Sequence, residues 1–139
     1  YPYLKYLGLT EIDFAIVTHE DRDHIKGVIE LLDLIKIKKV GISCGNMNGE
    51  LYETLIKKCE SKQIEIVKLK TGDEFNIGRC KCNVLYPYED IDKNNFESNN
   101  NSLVLEINVK DKNILLTGDI EEDAEKILIN DEMLKKVEN

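Results

Sequence analysis

Apolar positions follow two regimes along the chain. Up to residue 67, short apolar runs alternate with segments of helical spacing; from residue 70, the pattern becomes alternation broken by turns. Residues 2–8 read as the end of a helix, with Pro2 early, Leu4 and Leu7 three apart and Gly8 as the stop. Residues 13–18 are a short apolar strand, expected to be buried on both faces. A polar loop over 19–24 follows. Then Ile25, Val28, Ile29 and Leu32 share one face of a helix over 25–35. A strand at 39–43, a helix at 50–61 with Leu51, Leu55 and Cys59 inward, and a strand at 64–67 complete the first half. Residues 70–88 carry turn signals at 71–73 and 77–78 and predict antiparallel strands. The Asn-rich stretch 90–101 reads as a surface loop. A strand over 102–109, a turn at 111–113, a hairpin partner over 114–117 and a helix over about 121–129 close the pattern. The fold class is α/β, with parallel-type units first and a meander second.

At 139 residues the chain is one domain's worth of sequence, and 42% hydrophobic residues are enough for a packed core. No apolar run approaches the ~20 residues of a membrane helix. Lys plus Arg is 19 and Asp plus Glu is 27, a formal net charge of −8. That balance argues against a passive nucleic-acid coat, which needs clustered cations. It leaves a metal site open, because carboxylates are ligands. The spacing of Cys44, Cys59, Cys80 and Cys82 fits no zinc pattern, and all four read as ordinary thiols.

Charge and length matter less than the position of the histidines. Both of them fall within six residues, His19-Glu20-Asp21-Arg22-Asp23-His24, just after a buried strand and just before a helix. Ligands gather at such strand ends. Two imidazoles and two carboxylates within one turn of chain suit Zn, Mn or Fe. A calcium loop does not fit: with Asp21 as position one, Ile25, Lys26 and Leu32 fall where a ligand, the Gly and the Glu are needed. The bland alternative is a solvated loop in which Asp23 caps the next helix. Asp119 poses the same choice, since it follows an apolar strand and Gly118 and opens a helix, where an N-cap is the ordinary role.

Thr18-His19-x-Asp21-x-Asp23-His24 resembles the metal motif of the metallo-β-lactamase superfamily, usually His-x-His-x-Asp-His, with Asp21 in place of the second His. With Ile25-Lys26-Gly27-Val28 following, it is similar to the soluble domain of ComEC-type DNA-uptake competence proteins and their stand-alone relatives. Residues 2–8, Gly72-Asp73-Glu74-Phe75, Val84-Leu85-Tyr86-Pro87, Asn100-Asn101-Ser102-Leu103 and Leu115-Leu116-Thr117-Gly118-Asp119 extend the likeness over nearly the whole chain. The resemblance implies an αββα sandwich. It implies that His19 and Asp21 hold one divalent ion (Zn or Mn), that Asp23 and His24 hold a second, and that Asp119 bridges them. Asp23 is also the implied catalytic residue, orienting the attacking water. Family members have strands that would precede Tyr1 and a His-His-Gly-Ser-like motif that would follow Asn139. Residues 1–139 are therefore expected to be a single-domain fragment, with at most five strong ligands and weak or absent metal and activity. Where the superfamily often has a further His, this chain has Ser98, Asn99, Asn100 and Asn101.

The resemblance implies a hydrolase in which metal-activated water attacks a phosphodiester of DNA, as a soluble domain on the external face of the plasma membrane. A stand-alone, cytoplasmic hydrolase of a small molecule is the alternative. A metal-free binding domain is the third reading.

Overall fold

The computed structural model describes residues 1–45, 47–89 and 98–130. Part of the predicted Asn-rich loop, 90–97, lies outside the described residues, as does the end of the chain, 131–139. The described elements are α1 (Pro2–Tyr6), β1 (Glu11–Val17), α2 (Arg22–Leu31), β2 (Lys36–Ser43), α3 (Glu50–Ser61), β3 (Glu65–Leu69), β4 (Glu74–Ile77), β5 (Cys80–Tyr86), a 3-10 turn (Ser98–Asn101), β6 (Val104–Val109), β7 (Lys112–Leu116) and α4 (Glu122–Asn130).

The two sequence regimes become two sheets. The first is parallel, in the order β1-β2-β3, with α2 and α3 as its crossovers; the second is antiparallel, in the order β4-β5-β6-β7. Parallel neighbours need a crossover long enough to return the chain, and the helical segments supply it. On one face of the first sheet, Val17, Val40 and Ile42 meet Ile25, Ile29 and Leu32 of α2 and its C-terminal turn, and Leu55 and Cys59 of α3. These side chains recur every three or four residues on their helices, so each helix buries a single stripe.

The opposite face packs on the second sheet. Phe14, Ile16, Val67 and Leu69 meet Phe75, Val84, Leu103 and Leu105, and the Phe14 and Phe75 rings cross edge-on at 5.3 Å. Gly41 of β2 makes room for this. A Cβ there would lie 2.8 Å from Phe14 Cζ and 3.0 Å from Leu69 Cδ1. The far face of the second sheet carries α4, through Leu85, Tyr86, Val104, Ala124 and Leu128. An irregularity between Val84 and Tyr86 brings Leu85 and Tyr86 together into this cluster, since a bulge re-aims side chains. The layers are helix, sheet, sheet, helix, the predicted sandwich.

Two expectations need correction. The polar loop is shorter than its composition suggests, because α2 already begins at Arg22, with Asp21 as its N-cap residue and Asp23 inside the first turn. Asp23 is therefore not the cap. Nor is the Asn-rich stretch all surface, because Asn100 and Asn101 are buried.

Candidate metal centre

The centre forms where the two sheets touch at their ends. The N–H of Leu103 donates to the Thr18 carbonyl at 2.9 Å, joining the end of β1 to the start of β6. The Ser43 hydroxyl donates to the Asn101 carbonyl at 2.7 Å, joining the end of β2 to the same segment. Gly118, after β7, closes the corner in a left-handed conformation (φ 57°), and a Cβ there would lie 2.8 Å from the Ser102 Cβ and 3.2 Å from that of Thr18. Glycine alone meets both demands.

Into this corner point His19, His24 and Asp119. One ligand atom from each lies within 4.8 Å of the others. His19 is fully buried, and its ring tilts against that of His24 with centroids 4.1 Å apart. His24 Nε2 is 3.2 Å from Asp119 Oδ2. Asp21 and Asp23 stand at the rim. Asp21 Oδ2 is 3.8 Å from His19 Nε2 and Asp23 Oδ2 is 3.7 Å from His24 Nε2, with the two carboxylate side chains 46% and 83% exposed. The five residues singled out in the sequence thus form one contiguous group, with three at its centre and two at its mouth.

Burial, and then the neighbouring His24, push the His19 pKa below its ordinary value, while the carboxylates of Asp21, Asp119 and Asp23 oppose the shift. The neutral ring is the metal-binding form of imidazole. Its Nε2 is buried with no hydrogen-bond partner. Buried polar atoms are nearly always satisfied, and an orphan at this place is what a missing ligand leaves behind. Two imidazoles and a carboxylate around that atom fit a divalent cation of the Zn, Mn or Fe type.

Residue-type reasoning overlooked several supporting groups. The Thr18 hydroxyl lies 3.1 Å from His19 Nδ1 and 3.2 Å from His24 Nδ1. Ser102 Oγ lies 3.1 Å from His19 Nδ1 and accepts the Asp119 N–H at 3.2 Å. The Ser98 hydroxyl donates to Asp21 Oδ1 at 2.7 Å. Glu20 is raised in pKa by burial, partly offset by Ser98, and its Oε2 has no partner. These residues stand inside or beside the sequence motifs, but their types alone assign them no role. Asp119 is not the cap of α4 either. Asn100 Oδ1 accepts the N–H of Glu121 at 2.9 Å and of Ala124 at 3.4 Å, so that amide oxygen serves the helix and does not face the histidines. Asn99 donates to Glu121 Oε1 at 2.9 Å. All four cysteines are free thiols. No helix among the described residues is long and apolar enough to cross a membrane.

No family model matches the chain. It is similar to ComE operon protein 3 of Bacillus subtilis (strain 168), 32% identical over 129 residues, which is 93% of this chain and 16% of that protein. The chain therefore spans about a sixth of that relative's length. CmlA, a diiron beta-hydroxylase from Streptomyces venezuelae, is similar in structure with a TM-score of 0.59 and 15% identity, covering 92% of this chain and 23% of CmlA. At that identity the likeness speaks for the fold. The helix–sheet–sheet–helix layering, with a His/Asp cluster at the sheet ends, is the metallo-β-lactamase fold, and the sequence of the chain resembles a segment of ComE operon protein 3.

Proposed function

We propose that this chain is a metal-dependent hydrolase domain acting on the phosphodiester bonds of DNA within a ComEC-type uptake protein, on the external face of the plasma membrane. One observation carries the metal part: His19 Nε2 is buried without a partner, with His24 and Asp119 around it. The similarity to ComE operon protein 3 supports the uptake reading over a stand-alone hydrolase of small molecules. In this reading His19 and Asp21 would hold one ion and Asp23 and His24 a second, with Asp119 available to both. A divalent ion bound there supplies Lewis acidity and lowers the pKa of water toward ~7.

The residues of the chain do the rest. His19 and His24 present ring nitrogens as ligands, and burial lowers the His19 pKa, favouring its neutral ring. Ser98 holds Asp21 by one of its oxygens. Asp23, the most exposed carboxylate of the group, would orient an attacking water and take up its proton, a role its exposure supports. The three carboxylates of the group, Asp21, Asp23 and Asp119, would repel a phosphodiester on their own. Divalent cations reverse the local sign, so an acidic chain is compatible with an anionic substrate.

The test is to load the purified protein with Mn or Zn, measure bound metal, and assay single- and double-stranded DNA beside a generic phosphodiester. Metal uptake with DNA cleavage, lost by at least ~100-fold in Asp23→Ala, is expected. Cleavage of the generic substrate without DNA would shift the reading to a small-molecule hydrolase. Absent metal binding together with an unaffected Asp23→Ala variant would leave a binding domain.

A further inference from the structure

We propose that Thr18 is the positioning residue of the metal centre, a single hydroxyl that accepts the Nδ1–H of both His19 and His24 and so leaves both Nε2 lone pairs free for a metal ion. The inference rests on the metal-site reading above and adds the device that pre-organises it.

A neutral imidazole carries one N–H and one lone pair, and the partner of one nitrogen decides which is which. For His19 the choice is constrained. A proton on Nε2 would be buried without an acceptor, because the nearest carboxylate oxygen, Asp21 Oδ2, is 3.8 Å away. On Nδ1 the proton has hydroxyl oxygens at 3.1 Å from both Thr18 and Ser102. Leaving a buried donor unmade is the costlier state, so the proton belongs on Nδ1 and the Nε2 lone pair is free. For His24, Nδ1 lies 3.2 Å from the same Thr18 oxygen. Its Nε2 faces Asp119 Oδ2 at 3.2 Å, the direction in which a shared ion would sit.

Thr18 differs from Ser102 in touching both rings. Its oxygen has two lone pairs, enough for two N–H donors. Its placement is also rigid. It is β-branched and therefore stiff about χ1. The Gly118 backbone abuts its Cβ, and its carbonyl is held by the Leu103 N–H. Partners of this kind, one bond removed from the metal, fix ring orientation, and their loss commonly weakens metal affinity by ~10–100-fold.

The test uses the intact chain and two readouts. Long-range 1H–15N spectra of the zinc-loaded wild type are expected to show both histidines protonated at Nδ1 and bound through Nε2. Zinc titration is expected to give Thr18→Val an affinity ~10–100-fold below wild type, while Thr18→Ser, which keeps the oxygen, binds zinc with close to wild-type affinity. Either histidine binding zinc through Nδ1 overturns the proposal, and so does Thr18→Val binding zinc as tightly as wild type. If Thr18→Val fails to fold, the wild-type spectrum decides alone. A wild type that takes up no zinc overturns the metal reading itself, which separates that failure from a failure of Thr18.

Discussion

The two halves of the metal centre are held in different ways. His19 and His24 come from one short segment, His19 just after β1 and His24 in the first turn of α2. Asp119 comes from the far sheet and keeps its place through contacts made at long sequence separation. Its N–H bonds to Ser102, the Gly118 before it is wedged against Ser102 and Thr18, and the helix after it is capped by Asn100. The first half is local in sequence, with Ser102, Ser98 and the Leu103 N–H reaching it from the segment that leads into the far sheet only as supports. The second exists only when β5, β6, β7 and α4 are assembled. In such a centre, stability depends chiefly on one half, while exposed chemistry sits on the other.

Substitutions can break that contrast if it is wrong. The largest effect on stability is expected from Gly118→Ala, which must hold a left-handed φ and place a Cβ 2.8 Å from Ser102. The strain and overpacking together cost about 2–4 kcal/mol, read as a lowered midpoint in urea. A loss below ~1 kcal/mol would show that the corner yields. Next comes Asn100→Ala, which removes the cap of α4 and is expected to cost about 1–2 kcal/mol.

Tyr86→Phe follows. The Tyr86 hydroxyl donates to the Asn100 carbonyl at 2.8 Å, worth about 1 kcal/mol. The same substitution sharpens the comparison through pH. Burial pushes the Tyr86 pKa up to about 12, against ~10 in the unfolded chain. The folded state favours the protonated phenol, so its contribution is whole below pH ~10 and is lost as pH rises from there through about 12. Thermal melts of wild type should show this alkaline decline more steeply than those of Tyr86→Phe. The smallest effect is expected at Asp23→Asn, in the local half. Its side chain is 83% exposed, and the change should alter stability by less than about 0.5 kcal/mol while still removing the exposed carboxylate.

The same contrast explains what could be read in the sequence. The strand before His19, the helix stripe of Ile25, Ile29 and Leu32, and the crowding of both histidines into six residues are local, and the periodicity shows them directly. The start of α2 was misplaced because a first turn made of Arg22, Asp23 and His24 carries no apolar signal. Asn100 and Asn101 looked like surface loop because composition cannot tell a solvated amide from a buried one capping a helix some twenty residues further on. Thr18, Ser98 and Ser102 stand in or beside the sequence motifs, but their supporting roles are not legible there for a related reason. A hydroxyl becomes a support only when folding brings a histidine or a carboxylate to it.

The hydrogen bond from Leu103 to Thr18 has a consequence for how the molecule opens. It ties the two sheets together at the residue that adjoins both histidines, beside a core shared by Phe14, Ile16, Leu103 and Leu105. The sheets cannot part without pulling that bond and dismantling the centre. Amide exchange at Leu103 should therefore report the deepest, slowest opening of the protein and not local fraying. An ion bound only by the closed form deepens that opening by RT ln(1 + [L]/Kd), so the protection of one backbone amide in the seam becomes a gauge of occupancy at the centre.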